Sequence, residues 1–276
     1  MRLVRLVLAR IAFYAFVVLG SAFFALPLLW LMLTPFNSRA TLAVEIPSPF
    51  TLDNFRTVFG NTFAVQALFK NSVIQATGAM IGTTLVATLA SYALSRTRVP
   101  GKDYLVYMLI LFSSVVTGTA AMVPIFLLVF HLGLIDTHLG VVFVFVGGLL
   151  PAAIFIMRDF VDSIPRSYEE SALVSGATSW QVFRDVAWPL VRPGMMVVAI
   201  WVFVNVWGAF LIPFILLRSP ERVPASVAMY SFYTEAGTPI VTLTSAYSLL
   251  YTLPVLILYL FVNWRYGFRF FGGIKR

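Results

Sequence analysis

Residues with obvious chemistry are few in this chain. His131 and His138 stand seven apart in a short connection and read as surface histidines, not metal ligands. The chain has no cysteine, which excludes disulfides and thiolate sites. Its only Gly-Lys pair, Gly101-Lys102, is followed by Asp103, and Arg96 stands where a phosphate-binding loop needs glycine. Glu169, Glu170 and Asp185 lack partners at metal-ligand spacing, so an integral-membrane enzyme finds no support. What remains is a polar, helix-patterned island from Ile164 through Gly176 to Pro189, set in an otherwise membrane-soluble sequence. Such an island reads as a grip for something outside the bilayer.

The elements that must position this island are membrane spans. The chain has 276 residues, 60% apolar and 11% charged, against about 25% charged in soluble domains. With a mean hydropathy of +0.93, the class is all-α integral membrane protein. Six stretches reach the roughly 20 apolar residues that cross a bilayer: about 11–33, 71–94, 104–130, 139–157, 193–217 and 240–264. None holds Asp, Glu, Lys or Arg, while Pro27, Pro124, Pro151, Pro213 and Pro254 fall inside them. The basic N-terminus before the first stretch has the outline of a signal peptide. Its uncharged run is too long for a signal core and reads as an uncleaved span. The net charge of +8 is distributed unevenly. With six spans, 14 of the 19 Lys and Arg fall on the side of the two termini, leaving Arg39, Arg56, Lys70, Arg218 and Arg222 opposite. The positive-inside rule then makes both termini and the island cytoplasmic. It also explains the basic charge without nucleic acid.

The island itself reads as two short helices. Pro165 is tolerated in a first turn, and the first helix runs to about Val174 and stops at Gly176. A second starts at Thr178, where Gln181 three residues on makes a capping-box pattern. Trp180, Phe183 and Val186-Ala187 follow at helical spacing, and Pro189 and Pro193 bracket the return to the membrane. A helix resting on lipid headgroups is the alternative. The acidic pair Glu169-Glu170 opposes it, because an anionic leaflet repels carboxylates.

At these residues the chain resembles the inner-membrane permease subunits of ABC importers. Their Glu-Ala-Ala, Gly and Leu-Pro landmarks are matched in spacing by Glu170-Ser171-Ala172, Gly176, Val186 and Trp188-Pro189. Ser171, Val186 and Trp188 depart from the consensus. Asn71-Ser72, Ser91 to Arg96, Gly133 to Thr137, Pro189 to Pro193 and Gly272-Gly273-Ile274-Lys275 are similar to the carbohydrate branch, on the side of its smaller maltose-type permease. Trp207-Gly208-Ala209-Phe210 replaces that branch's Trp-Asn-Glu-Phe.

The resemblance implies a type I ABC importer permease fold: one transmembrane domain over residues 1–276, with a cytoplasmic coupling helix in 164–189 between helices 4 and 5. It implies a cell-membrane subunit that is not itself an enzyme. Its partners would be a second permease subunit, a dimer of cytoplasmic ATPases that bind ATP and Mg, and an extracytoplasmic solute-binding protein. Glu169, Glu170, Ala172, Gly176, Ala177, Trp180, Phe183 and Pro189 are the expected ATPase-coupling residues. The expected cargo is a sugar or sugar-like solute. A polyol or a glycerophosphodiester is an alternative. So is ion-coupled secondary transport, although proton relays need ionisable groups that the spans lack. Uncharged candidates for a solute pathway are Gln75, Ser113, Ser114, Thr117, Asn205, Trp207, Thr244, Ser245 and Tyr247. Helix-to-helix hydrogen bonding is the ordinary role for each. The outer loop 218–239 is expected to face the solute-binding protein.

Overall fold

A computed structural model of the chain describes residues 2–39, 43–97, 100–116 and 119–266. Among these the regular structure is helical, with two isolated β-bridges and no strand. Helix α1 (Arg2–Leu33) leads through a 3-10 turn at Thr34–Phe36 to α2 (Asp53–Gly60) and α3 (Thr62–Gln66). A π-helical segment, Ala67–Asn71, carries α3 into α4 (Ser72–Arg96). There follow α5 (Lys102–Val116), a 3-10 turn at Thr119–Ala121, α6 (Met122–His131), α7 (His138–Asp162) and α8 (Arg166–Val174). Helix α9 (Ser179–Gln181) passes through a second π segment, Val182–Ala187, into α10 (Trp188–Trp207). Helices α11 (Leu211–Leu216), α12 (Ala225–Ala228) and α13 (Val241–Tyr266) complete the described chain.

Five helical runs are long and apolar enough to span: Arg10–Phe36, Thr62–Arg96, His138–Asp162, Ser179–Trp207 and Val241–Trp264. The expected third span, 104–130, is not one helix. Helix α5 is described as far as Val116, a 3-10 turn at Thr119–Ala121 intervenes, and α6 starts at Met122. Pro124 sits in the first turn of α6, where its missing N–H costs nothing. Further into a helix its ring would strike a carbonyl four residues back. Pro213 does the same in α11, and the expected fifth span, 193–217, correspondingly ends at Trp207. That run begins well before its expected start. The second island helix and the fifth span form one continuous helix from Ser179, and the ladder changes register in the π segment just ahead of Pro189.

The chain forms two compact units. One comprises Met1–Val65 with Met229–Leu253. Here Phe36 stacks on Phe50 with centroids 5.0 Å apart. The Asn54 amide donates to the carbonyls of Pro35 and Asn37 at 2.8 Å each. Tyr247 is fully buried; its hydroxyl donates to the Ala64 carbonyl at 3.2 Å and its ring meets Phe232. Helix α1 is apolar on all sides after Arg10, and its spanning window is 0% buried by the chain, as suits a helix solvated by lipid.

The other unit comprises Gln66–Ala228 with Pro254–Arg276, and its core is the packing of α4, α7 and α10. Helix α4 buries Ser72, Ala76, Ala79, Thr83, Ala87, Ser91 and Ser95, one small residue every three or four. A ridge of small side chains lets apolar helices approach closely in a membrane, where dispersion and not water exclusion holds them. The approach is tight: a Cβ added at Gly78 or Gly82 would lie 3.1 Å from a methyl of Val142 or Val146 on α7.

Candidate functional site

The island folds as a helical hairpin. Helix α8 ends at Val174, and Gly176 takes φ +89°, a conformation costly for any residue with a Cβ. The Ala177 N–H returns to the Ala172 carbonyl at 3.0 Å and the Gly176 N–H to Leu173, closing a Schellman-type stop. Thr178 then caps the next helix: its Oγ1 accepts the Gln181 N–H, and the Gln181 side chain accepts the Thr178 N–H at 2.8 Å. Both halves of the capping box legible in the sequence are therefore formed.

The expected coupling residues fall on two faces. Glu170, Trp180 and Pro189 are exposed, Ala172 and Ala177 half-buried, and Gly176 opens on empty space. Trp180 is 62% exposed, and Tyr168, Leu173 and Val174 (90% exposed) are further exposed apolar side chains of the hairpin. Glu169 and Phe183 point inward instead, only 8% and 6% exposed. Phe183 packs on Tyr92 at 4.9 Å between centroids, with Trp180 and Trp188 around it. It is a hinge-pin of the chain's own packing and not a free anchor.

Glu169 sits in a buried polar joint. Its carboxylate accepts the Arg96 Nε–H at 2.8 Å and the Tyr92 hydroxyl at 3.2 Å, and pairs with Arg96 Nη2 at 2.7 Å. Arg96 Nη2 also donates to the carbonyls of Val161 and Ile164, and Nη1 to the Ser95 hydroxyl. Ser95 in turn donates to Asp162, and Arg166 donates to the Ser95 carbonyl. One guanidinium thus ties α4 to the carbonyl-rich end of α7 and to α8. In the sequence, Arg96 stands out as a basic charge and as the end of the Ser91-to-Arg96 landmark, with no role in the hairpin assigned to it. The available signal was Tyr92 and Arg96, four apart and so on one helical face.

The opposite end of α4 holds a second polar cluster. The Asn71 amide donates to the carbonyls of Glu221 and Val223 at 2.9 Å each, and Gln75 donates to the Arg222 carbonyl and meets His138 Nδ1 at 3.2 Å. The Ser72 hydroxyl accepts the Ala225 N–H. Asp136, at φ 58°, accepts the N–H groups of Arg218 and Ser219 at 3.0 Å each and the Ser219 hydroxyl, and pairs with Arg222. Partial desolvation pushes the Asp136 pKa up. Those Ser219 and Arg218 hydrogen bonds and the Arg222 charge outweigh it, holding the carboxyl at about 2. Residues 218–225 are therefore clamped to α4 and to the 132–138 turn.

Most of the described pathway candidates are engaged within their own unit. Gln75 belongs to this clamp, and Tyr247 and Ser245 are buried. Trp207 is buried against Phe203, its ring stacked at 5.3 Å. Thr244 is half-buried and donates to the Phe232 carbonyl. Asn205 is exposed, with its amide donating to Trp201. Ser113 and Ser114 lie in α5, but their side chains, like Thr117 and Gly272 to Lys275, lie outside the described residues.

With this geometry in view, the comparisons with known proteins are specific. Residues 113–267 match the family described as binding-protein-dependent transport system inner membrane component. The maltodextrin transport system permease protein of Bacillus subtilis (strain 168) is 30% identical over 259 residues, covering 93% of this chain and 92% of that protein. The galactooligosaccharides transport system permease of the same organism is 29% identical, covering 86% and 85%. The diacetylchitobiose uptake system permease of Streptomyces coelicolor (strain ATCC BAA-471 / A3(2) / M145) is 32% identical, covering 76% and 70%. Among solved structures, a chain of a bacterial ABC transporter that imports the acidic polysaccharide alginate superposes with a TM-score of 0.80 over 94% of this chain and 96% of its own, at 20% identity. That likeness establishes the shared fold.

Proposed function

This chain belongs to the family of binding-protein-dependent transport system inner membrane components, and we propose that it is one permease subunit of an ATP-driven importer for an oligosaccharide or similar sugar. The relatives named for maltodextrin, galacto-oligosaccharide and diacetylchitobiose transport support the cargo class. The carrying observation is the hairpin α8–α9: a helix stop at Gly176, a formed capping box, and the exposed side chains of Tyr168, Glu170, Leu173, Val174 and Trp180. Aromatic anchors beside a carboxylate suit a protein partner. The partner is a cytoplasmic ATPase dimer, which binds ATP and Mg on its own chains and closes when it does. The hairpin converts that closure into tilting of α4, α7 and α10, opening the pathway alternately to either side. A second permease subunit completes the pathway, and a solute-binding protein delivers cargo to the side bearing residues 218–239. In this reading both termini and the hairpin face the cytoplasm, which the distribution of basic residues supports.

Affinity purification of the tagged chain from its own membranes in mild detergent, followed by mass spectrometry, tests this. A second multi-span subunit and a Walker-motif ATPase are expected, and the ATPase is lost with Glu170→Lys. Recovery of the chain alone, even after gentle cross-linking, overturns the reading.

A further inference from the structure

We infer that Arg96 is the positioning residue of the hairpin: its guanidinium fuses α8 to the cytoplasmic ends of α4 and α7, so that the three elements move as one body. The inference rests on reading the hairpin as the ATPase contact.

Helix α8 is joined to α7 only by the short 163–165 connection and to α9 by the Gly176 turn, so its orientation on the ends of α4 and α7 needs a side-chain fastening. Without one, pressure from a partner would be lost as rotation of α8. The Arg96 side chain removes that freedom. Its planar fork meets the Glu169 carboxylate through both Nε and Nη2, while Nη2 also holds the Val161 and Ile164 carbonyls. A planar guanidinium bonded at Nε to both carboxylate oxygens and at Nη2 to two carbonyls is fixed in orientation as well as distance, which a point charge is not. The paired side chains are only 14% and 10% exposed, so salt and water screen them little. The Tyr92 hydroxyl and the Arg166-to-Ser95 bond brace the same joint from either side. Buried ion pairs are poor sources of net stability, and their best-attested use is to fix a unique register. A register-fixing joint between the lever and two spans is what a coupling device needs.

The chain has no cysteine, so introduced thiols are unique within it, and any cysteines of the partner subunits are replaced before labelling. Spin labels at Ser171→Cys on α8 and Ala93→Cys on α4, both exposed positions, report the joint in the complex purified with its ATPase. In the otherwise native chain, the distance distribution should stay single and shift by less than about 2 Å, the scale of small interface helix shifts, between the nucleotide-free and ATP–vanadate-trapped states. Arg96→Gln should broaden it and make it nucleotide-dependent, with Arg96→Lys intermediate. If Arg96→Gln fails to assemble, the near-isosteric Glu169→Gln decides by the same criterion. A larger shift with Arg96 present overturns the inference. So does a narrow, nucleotide-independent distance in Arg96→Gln. A chain that brings down no ATPase overturns the underlying reading and the inference with it.

Discussion

Adjacent glutamates in α8 show how one residue's position along a helix decides its role. Glu170 forms no hydrogen bond or ion pair with another described residue, whereas Glu169 is locked to Arg96 and Tyr92. Removing Glu169's charge leaves a guanidinium buried without its partner, which costs about 3–5 kcal/mol where such pairs have been broken. Glu170→Lys should leave thermal stability within about 0.5 kcal/mol of the original while abolishing ATPase capture and uptake. A thermal melt and a pull-down on both variants separate the two. Gly176 makes a purely backbone prediction, because no atom would contact an added Cβ there. Gly176→Asn, which tolerates positive φ, should keep uptake. Gly176→Val should lose most of it, since the left-handed conformation costs an L-residue about 1–2 kcal/mol. Equal uptake by both would remove the turn from the mechanism.

At the scale of elements, α4 is fastened at both ends. The small-residue ridge against α7 makes its middle intolerant of bulk: Gly82→Leu should destabilise by about 1–3 kcal/mol through overpacking, read as a lowered melting temperature in detergent. The far clamp carries a pH dependence. The folded-state pKa of Asp136 lies below its ordinary value of 3.8, at about 2. Its contribution is therefore complete above the unfolded-state value and is lost as pH falls through about 2. One such shift is worth on the order of 2 kcal/mol. The stability gap between the native chain and Asp136→Asn should thus be full at pH 5 and narrow steadily toward pH 2. A constant gap would show that the carboxylate's charge is not what holds residues 218–222.

For the whole molecule the question is where the energy comes from. The sequence stretches expected to span carry no Asp, Glu, Lys, Arg or His, and proton-coupled carriers place such groups in the membrane. A protonophore applied while cellular ATP is maintained should therefore leave uptake of the labelled sugar unchanged, and ATP depletion should stop it. The opposite pattern would favour ion coupling. In the segment proposed to meet a solute-binding protein, residues 234–238 form a tight turn closed by Thr234 and Thr238. Substituting Glu235 and Ala236 at that turn should weaken stimulation by the solute-binding protein while sparing basal ATP hydrolysis.

Composition and local pattern were enough to define the class, most of the spans and the hairpin. Apolar runs of bilayer length, a Gly stop and a Thr-x-x-Gln cap act through the chain's own neighbours, so their physics is local. The same holds for the Glu-x-Ala-x-x-x-Gly spacing that carried the family resemblance. Three things were decided only by tertiary structure. The division of 104–130 into α5 and α6 turns on where a helix starts relative to Pro124, and hydropathy averages over that point. Which of Glu169 and Glu170 faces inward depends on where Arg96 lies, 73 residues earlier in the chain. Gln75 and Tyr247, polar and so natural candidates to touch solute, are consumed by backbone carbonyls that folding brings to them. A buried polar group must find a partner, and only the folded chain determines whether that partner is cargo or the protein itself.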